Sequence, residues 1–516
     1  MAHKFIRQQV ETSRRAAVVR SLLKSGEGAS PFFENTPGIE PVAQLWTEAL
    51  RAYKSRTGKL PHESILANAH AALERQLNNS KAMFEASDMS TSGGVLSVPV
   101  WGAFILPAML ESTTATLCTF VDASHDLCDV LSIYPVVSKG FGDYAAGTRL
   151  DGSHAGRFSS MRRFMLLDAA DQPKNGKKVF TFDTTWSING VLPIRPGTIR
   201  LAIDRVPYPV DFDNSSTRAS QLSGTGKLAG ATFKIDYENA TVEADLTNAN
   251  AAFYADGVIL GLEWDIDEET APAIIPEIAL REESARVRQT RYLLAAQYTM
   301  QAVIDLQREQ GLSLESELVN NIIRWMAGEQ DTRRLRTVLF YNKLKTSIDT
   351  SRKTDNLGLW AEALKRRIIE ESDKLQALNK SVGITGAYAG EKAAQLFRSF
   401  PGHYFQADPD FYTTSGLRRA GTLFGSIEVF VVPDACCDQL VTEPESTFKT
   451  NDVLFFGSDA AGHSPLVAGD GIPPTQIQHA VTPSLRGRVT LYGTELNAPN
   501  PHGGGNFQVL ATLENL

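Results

Sequence analysis

Apolar residues recur along this chain with two periods, and the switches between them divide it into helical and β-rich stretches. In the first 25 residues Ile6, Val10, Val18 and Leu22 fall on one side of a helix. Helical spacing continues through 41–54 and 63–86, with Pro31, Pro37 and Pro61 as breaks. A Ser/Thr/Gly stretch at 90–94 then leads into an apolar segment holding Trp101 and two prolines. Phe120, Val121, Val130, Leu131, Ile133 and Tyr134 read as strands. From 174 to 269 the period is two: Val179, Phe180, Phe182, Trp186, Ile188, Ile199, Leu201 and Ile203 alternate with polar neighbours, as in a small antiparallel sandwich with one wet face.

The stretch 281–345 predicts a helical hairpin. Tyr292, Ala295, Thr299, Val303 and Leu306 sit at three- and four-residue steps. Gly311 offers the left-handed cap, Ser313 an N-cap, and Glu315 and Glu317 an acidic first turn for a second helix, which continues through Leu314, Leu318, Ile322 and Trp325. Ser316 stands where a full capping box would place Glu or Gln. Beyond it come a helix over 357–375, a strand, turn and helix over 381–400, a buried strand at 427–432, and strands near 452–459, 485–492 and 507–513.

Composition narrows the classes. A chain of 516 residues, 42% hydrophobic and 21% charged, has the make-up of a globular protein of two or three lobes. No apolar run approaches the roughly 18 residues needed to span a bilayer, and no secretory leader is visible, so folding in a cytoplasm and no membrane partner are expected. A net charge of −8 argues against a surface that grips nucleic acid throughout. The first 25 residues, with six Lys or Arg against one Glu, are a local exception. Cys118, Cys128, Cys436 and Cys437 are too few and too irregular for a disulfide scaffold or a zinc ribbon.

Each candidate for chemistry has a simpler reading. Asp265, Asp267, Glu268 and Glu269 supply oxygens for a hard cation but lack the glycine and distal Glu of a calcium loop, so a solvated strand end is favoured. Asp211 with Asp213, and Asp408 with Asp410, share that ambiguity. Gly224, Thr225, Gly226 and Lys227 have the wrong spacing for a phosphate loop, and Leu228 replaces its Ser or Thr, so they read as a hairpin tip. No nucleophile elbow or zinc-protease motif occurs, and the nine histidines are scattered. Neither catalytic, cofactor nor metal residues are assigned, and no enzyme activity is expected.

The wording of one segment goes further than its periodicity. Gln297, Tyr298 and Thr299, then Asp305 and Leu306, then Gly311, Leu312, Ser313, Leu314, Glu315, Ser316, Glu317 and Leu318 resemble the spine-helix region of major capsid proteins of contractile-tailed, T-even-like and jumbo phages. The resemblance implies an α+β chain of the Hong Kong 97 phage capsid fold. Its parts would be an N-terminal helical arm or head (1–88), the start of a peripheral domain (89–145), and an extended loop (146–280) with a β-rich insertion at about 190–265. A spine helix with more of the peripheral domain (281–346), an axial domain (347–482) and a C-terminal return to the peripheral domain (483–516) would follow. The function implied is mechanical. Copies would assemble into hexamers, with pentamers as an option, around double-stranded DNA in a virion, with scaffold, portal and decoration proteins as partners. That family's prohead protease cuts after a Glu preceded two positions earlier by a medium apolar residue. Met83, Phe84 and Glu85 before Ala86 fit, making the Glu85–Ala86 bond a candidate cleavage site. The alternatives are an encapsulin-like compartment or a carbohydrate-binding or carbohydrate-active protein with Trp186 and Trp264 as an aromatic platform.

Overall fold

The structure, a computed structural model, describes the chain outside residues 1, 24–31, 34–38, 58–59, 62, 87–104, 108, 111, 122, 124, 141–142, 151–157, 167–176, 184–192, 204–205, 210–218, 224–228, 237–240, 246, 249–258, 269–275, 302–303, 306–307, 309–313, 352–355, 409–415, 444–445, 460–461 and 480–485. It divides into two units: Met1–Ser132 with Glu283–Leu516, and Ile133–Glu282.

In the first unit, three N-terminal helices form where the helical spacing predicts them: α1 (Ala2–Ser21), α2 (Glu40–Thr57) and α3 (Glu63–Ala86). They are not a free arm. Ala16 and Val19 of α1, Trp46 and Leu50 of α2, and Leu66, Ala69 and Leu73 of α3 share one core with Leu335, Val338 and Leu339 of the long helix α4 (Leu314–Phe340). From Ile65 to Leu73 every residue of α3 is buried, as in a helix covered on all sides. The basic charges of α1 are also used at home: Arg15 pairs with Glu11 and Glu74 at 3.2 and 3.3 Å, and Arg20 pairs with Glu63 at 2.8 Å.

A seven-stranded mixed sheet carries a second core. Its order is Lys345–Asp349, Gln508–Glu514, Asp452–Phe456, Gly386–Gly390, Ile427–Val432, Arg418–Leu423, Phe405–Ala407. Its central strands Gly386–Gly390 and Asp452–Phe456 are buried at every position, which is why they read as continuous apolar or small-residue runs. Helix α5 (Leu357–Asn379) covers the sheet with Ala361, Leu364, Ile368 and Leu375, spaced for one helical face. The Asn356 side chain accepts from the backbone N–H of Gly358 at 2.9 Å and caps its start, and Lys380 at φ 57° ends it. Helix α6 (Glu391–Arg398) follows the strand Gly386–Gly390, and a four-residue turn, α7 (Asp434–Cys437), follows Ile427–Val432. Gln508–Glu514 lies inside this sheet between Lys345–Asp349 and Asp452–Phe456, where its buried run Gln508–Ala511 has cover on both faces.

The largest correction concerns 281–299, expected as helix. Glu277–Arg288 is a strand paired with Leu127–Lys139, and Thr290–Thr299 is a strand antiparallel to Arg486–Glu495 over ten consecutive positions. The half-buried residues of the latter are Tyr292, Leu294, Ala296 and Tyr298, a period of two that coexists in the sequence with the three-and-four spacing. A partner strand decides between them. Tyr292 lies over Gly493 and Tyr298 over Gly487, each ring filling the space a Cβ would need. This sheet has the order Cys118–Phe120, Leu466–His479, Arg486–Pro499, Thr290–Thr299. Of the expected helical residues, Val303 and Leu306 are outside the described residues; the second helix is real and is α4.

The second unit holds two antiparallel four-stranded sheets where the period-two text predicted strands. One has the order Arg162–Leu166, Ile259–Asp265, Arg200–Ile203, Val206–Pro209; the other Lys177–Thr181, Thr241–Asp245, Thr232–Asp236, Ala219–Ser223. Phe180, Phe182, Phe233, Ile235, Leu262 and Trp264 are buried, and the rings of Phe182 and Trp264 meet edge-on at 5.0 Å.

Candidate functional site

Most residues singled out for chemistry are placed in bland settings. Asp265 pairs with Arg162 at 3.2 Å, and Glu268 lies 3.6 Å from Arg195, so these acids are strand-end ion pairs; Glu269 is outside the described residues. Asp408 is buried against Arg419 at 2.9 Å, while Asp410, Asp211, Asp213 and Gly224–Lys227 are outside the description. Trp264 is fully buried and offers no platform to a sugar, and Trp186 is not described. All four cysteines are free. Burial pushes the Cys118 thiol up to about 12 and the Cys437 thiol up to about 11, so neither is a ready thiolate nucleophile. Among the described residues no group of three acids, His or Cys is arranged to hold a metal. Glu85 and Ala86 are the last two residues of α3.

What the structure does concentrate is a polar centre between α4, α3, the segment Ser112–Thr114 and the four-stranded sheet. Asp331 of α4 is buried and accepts four hydrogen bonds: from Ser112 Oγ and Thr114 Oγ1 at 2.6 Å, and from Thr113 N and Oγ1 at 2.9 Å. One turn on, buried Arg334 donates to Thr114 Oγ1 at 3.3 Å. Arg333 binds Glu495, which also accepts from Gln330 Nε2 at 2.6 Å. Arg75 of α3 donates to the carbonyl of Asp470 at 2.5 Å. Burial raises the carboxyls of Asp470 and Glu495, and the arginines oppose it, with Arg334 first in both cases. These contacts hold α4 and α3 to the sheet.

Sequence reading missed this centre, although a signal existed. Asp331 and Arg334 continue the apolar stripe of Leu335, Val338 and Leu339 on α4, so two charged residues occupy core positions.

A second concentration is on the surface. Phe164 and Leu166 are 58% and 84% exposed on the edge strand of one sheet, while Arg163, next to Phe164, is buried, so the usual alternation is inverted. Ile278 and Leu280 are 58% and 70% exposed on Glu277–Arg288. Leu293, Trp325 and Phe340 are also exposed.

Comparisons with known proteins fall into two groups. A family model described as a domain of unknown function (DUF8615) matches residues 3–112, which contain the helical layer α1–α3. Protein IncB of Escherichia coli is 35% identical over 112 residues, 19% of this chain and 54% of that protein, so the chain spans about half the length of this curated relative. Among solved structures, the capsid of jumbo bacteriophage PhiKZ is similar with a TM-score of 0.35 at 9% identity, covering 78% of this chain and 92% of that one. The capsid of an empty GTA particle gives 0.31 at 9%, covering 84% and 97%. The mature capsid of bacteriophage PhiM1 gives 0.30 at 12%, covering 46% and 75%. These neighbours are capsid proteins.

Proposed function

We propose that this chain is the structural subunit of a phage-type capsid shell, a protein whose work is done by contacts between copies. The observation that carries this reading is the set of large apolar side chains left exposed on strands, without cover among the described residues: Phe164, Leu166, Ile278, Leu280 and Leu293. Large apolar side chains exposed on strands in this way support an association surface. A shell also needs rigid subunits more than an active site, and the buried Asp331–Arg334–Glu495 centre supplies rigidity.

In the finer form of the proposal, the fold is of the Hong Kong 97 type, with the seven-stranded sheet as axial domain and the 133–282 unit as the extended loop and its insertion. Hexamers, and pentamers if they use the same chain, enclose double-stranded DNA without reading its sequence, and scaffold, portal and decoration proteins are the other partners. The ion pairs of Arg15 and Arg20 with α3 acids leave α1 less basic than its text, which weakens its claim to bind scaffold or DNA. Cleavage at Glu85–Ala86 requires the last turn of α3 to open for a protease. A virion subunit of unprocessed mass would eliminate it.

Expression with and without the neighbouring virion genes, followed by negative-stain electron microscopy, tests the main reading. Closed shells, tubes or hexameric sheets are expected. Monomers under both conditions would overturn it, and monomers that also bind glycans would favour the carbohydrate alternative.

A further inference from the structure

Two exposed apolar strand segments of the same chain, Arg162–Leu166 and the start of Glu277–Arg288, are complementary to each other. Arg162–Leu166 is the edge strand of its four-stranded sheet, with one side unoccupied by any described strand. Glu277–Arg288 pairs only with Leu127–Lys139 in a two-stranded ribbon, so its other edge is likewise without a described strand partner. The two segments lie in different sheets of the chain and do not pair with each other.

Side chains two apart on a strand share a face. On the edge strand that face reads Arg162, Phe164, Leu166; on the ribbon it reads Ile278, Leu280, Glu282, all of them exposed. Antiparallel alignment sets Leu166 opposite Ile278, Phe164 opposite Leu280, and Arg162 opposite Glu282. Two apolar pairs and one opposite-charge pair then coincide in a single register. A shift of two residues would lose the ion pair and one apolar pair, and a shift of one would turn every side chain to the other face. Each of these three cross-strand pairs is of a kind that stabilises a sheet. The stretch Phe164–Leu166 carries no proline or charge, and Phe164 and Leu166 are exposed on its open edge.

We infer that Arg162–Leu166 of one copy pairs antiparallel with Ile278–Glu282 of a second copy, joining two sheets across the subunit boundary by strand addition. This rests on the shell reading and names one of its contacts. Arg162 is already held by Glu263 at 3.0 Å and Asp265 at 3.2 Å, so it is positioned before the partner's Glu282 arrives.

The test uses two full-length variants, Phe164→Cys and Leu280→Cys, expressed separately, mixed before assembly and oxidised. Only a contact between copies can join them. Directly opposed residues in an antiparallel pair have Cα atoms about 4.5–5.5 Å apart, inside the disulfide range. Expected are a disulfide-linked dimer from this pair and from Leu166→Cys with Ile278→Cys, its loss in the opposite-face pair Phe164→Cys with Ala279→Cys, and a reduced yield when Glu282→Arg is added. Shells that form without the cross-link, or with equal cross-linking through Ala279, would overturn the register and leave the shell reading standing. If the unsubstituted chain forms no assemblies, both fail together.

Discussion

The seven-stranded sheet and the ribbon strand Glu277–Arg288 are both β-structure, yet they obtain their burial from different sources. In the sheet, Gly386–Gly390 and Asp452–Phe456 are buried at every residue by neighbouring strands, α5 and α6 of the same chain. In the ribbon strand, the first eight residues are all exposed. The sheet is finished within one polypeptide; in the proposed shell, the ribbon takes its cover from another copy. A substitution should therefore damage folding in the first region and association in the second.

The largest contrast comes from paired truncations. Phe455→Ala removes a fully buried ring from the sheet and should destabilise it by about 3–5 kcal/mol, seen as a lower urea midpoint for the unassembled chain. Leu280→Ser, at an exposed position, should leave that midpoint within about 0.5 kcal/mol of the parent while reducing assembly by light scattering. A Leu280→Ser chain that unfolds as readily as Phe455→Ala would erase the distinction.

The same contrast explains what the sequence revealed. Strands and helices that bury their apolar faces inside the chain were legible: α5 from its Ala361, Leu364, Ile368 and Leu375 spacing, the strand Ile427–Val432 from its apolar run. Thr290–Thr299 was misread because Tyr292, Ala295 and Thr299 satisfy a helical stripe, and only the partner strand Arg486–Glu495, nearly 200 positions away, selects the alternating set. Local pattern has no access to that partner. The glycines were the overlooked clue, since Gly487 and Gly493 make room for Tyr298 and Tyr292. The exposed face of Arg162–Leu166 was hidden for a related reason: an Arg in the core and a Phe outside reverse the alternation by which strand orientation is judged.

Between these extremes stands the buried polar centre, complete within the chain but made of charge. Asp331→Ala would leave four donors without their acceptor and remove a negative charge near buried Arg334, a loss of about 3–5 kcal/mol. Hydrogen exchange should then rise in α4 and Ser112–Thr114 while the seven-stranded sheet keeps its protection. Uniform loosening of both would show that the centre and the sheet are one cooperative block.

The helical layer gives a pH-dependent version. His70 of α3 is buried, its ring 4.6 Å from that of Phe32 and tilted to it, and its pKa is lowered to about 4 by burial and then by Arg15 and Arg14; Glu74, 3.6 Å away, is the acid beside it. The unfolded chain takes up a proton near pH 6.5 while the folded one does not. Stability is therefore full above about 6.5, falls as pH drops toward 4, and levels off below, a total of about 3 kcal/mol. Faster exchange in α1–α3 across that window, flattened by His70→Leu, is expected; an unchanged slope in the variant would move the origin elsewhere.

The smallest effect asks whether polar contacts matter where apolar burial is already complete. Tyr388 belongs to the seven-stranded sheet and stacks between Phe430 at 5.1 Å and Phe456 at 5.5 Å, while its hydroxyl donates to the carbonyl of Thr113 at 2.9 Å. Burial raises its pKa well above the ordinary tyrosine value, so the hydroxyl keeps its proton and remains a donor. Tyr388→Phe preserves the stack and removes one hydrogen bond, costing about 1 kcal/mol. Because Thr113 also binds Asp331, the change should be felt at Ser112–Thr114 more than in the sheet that carries the ring. Exchange confined to that segment would identify Tyr388 as the point where the finished sheet steadies the polar centre; a change confined to the sheet would make its hydroxyl a local ornament of the core.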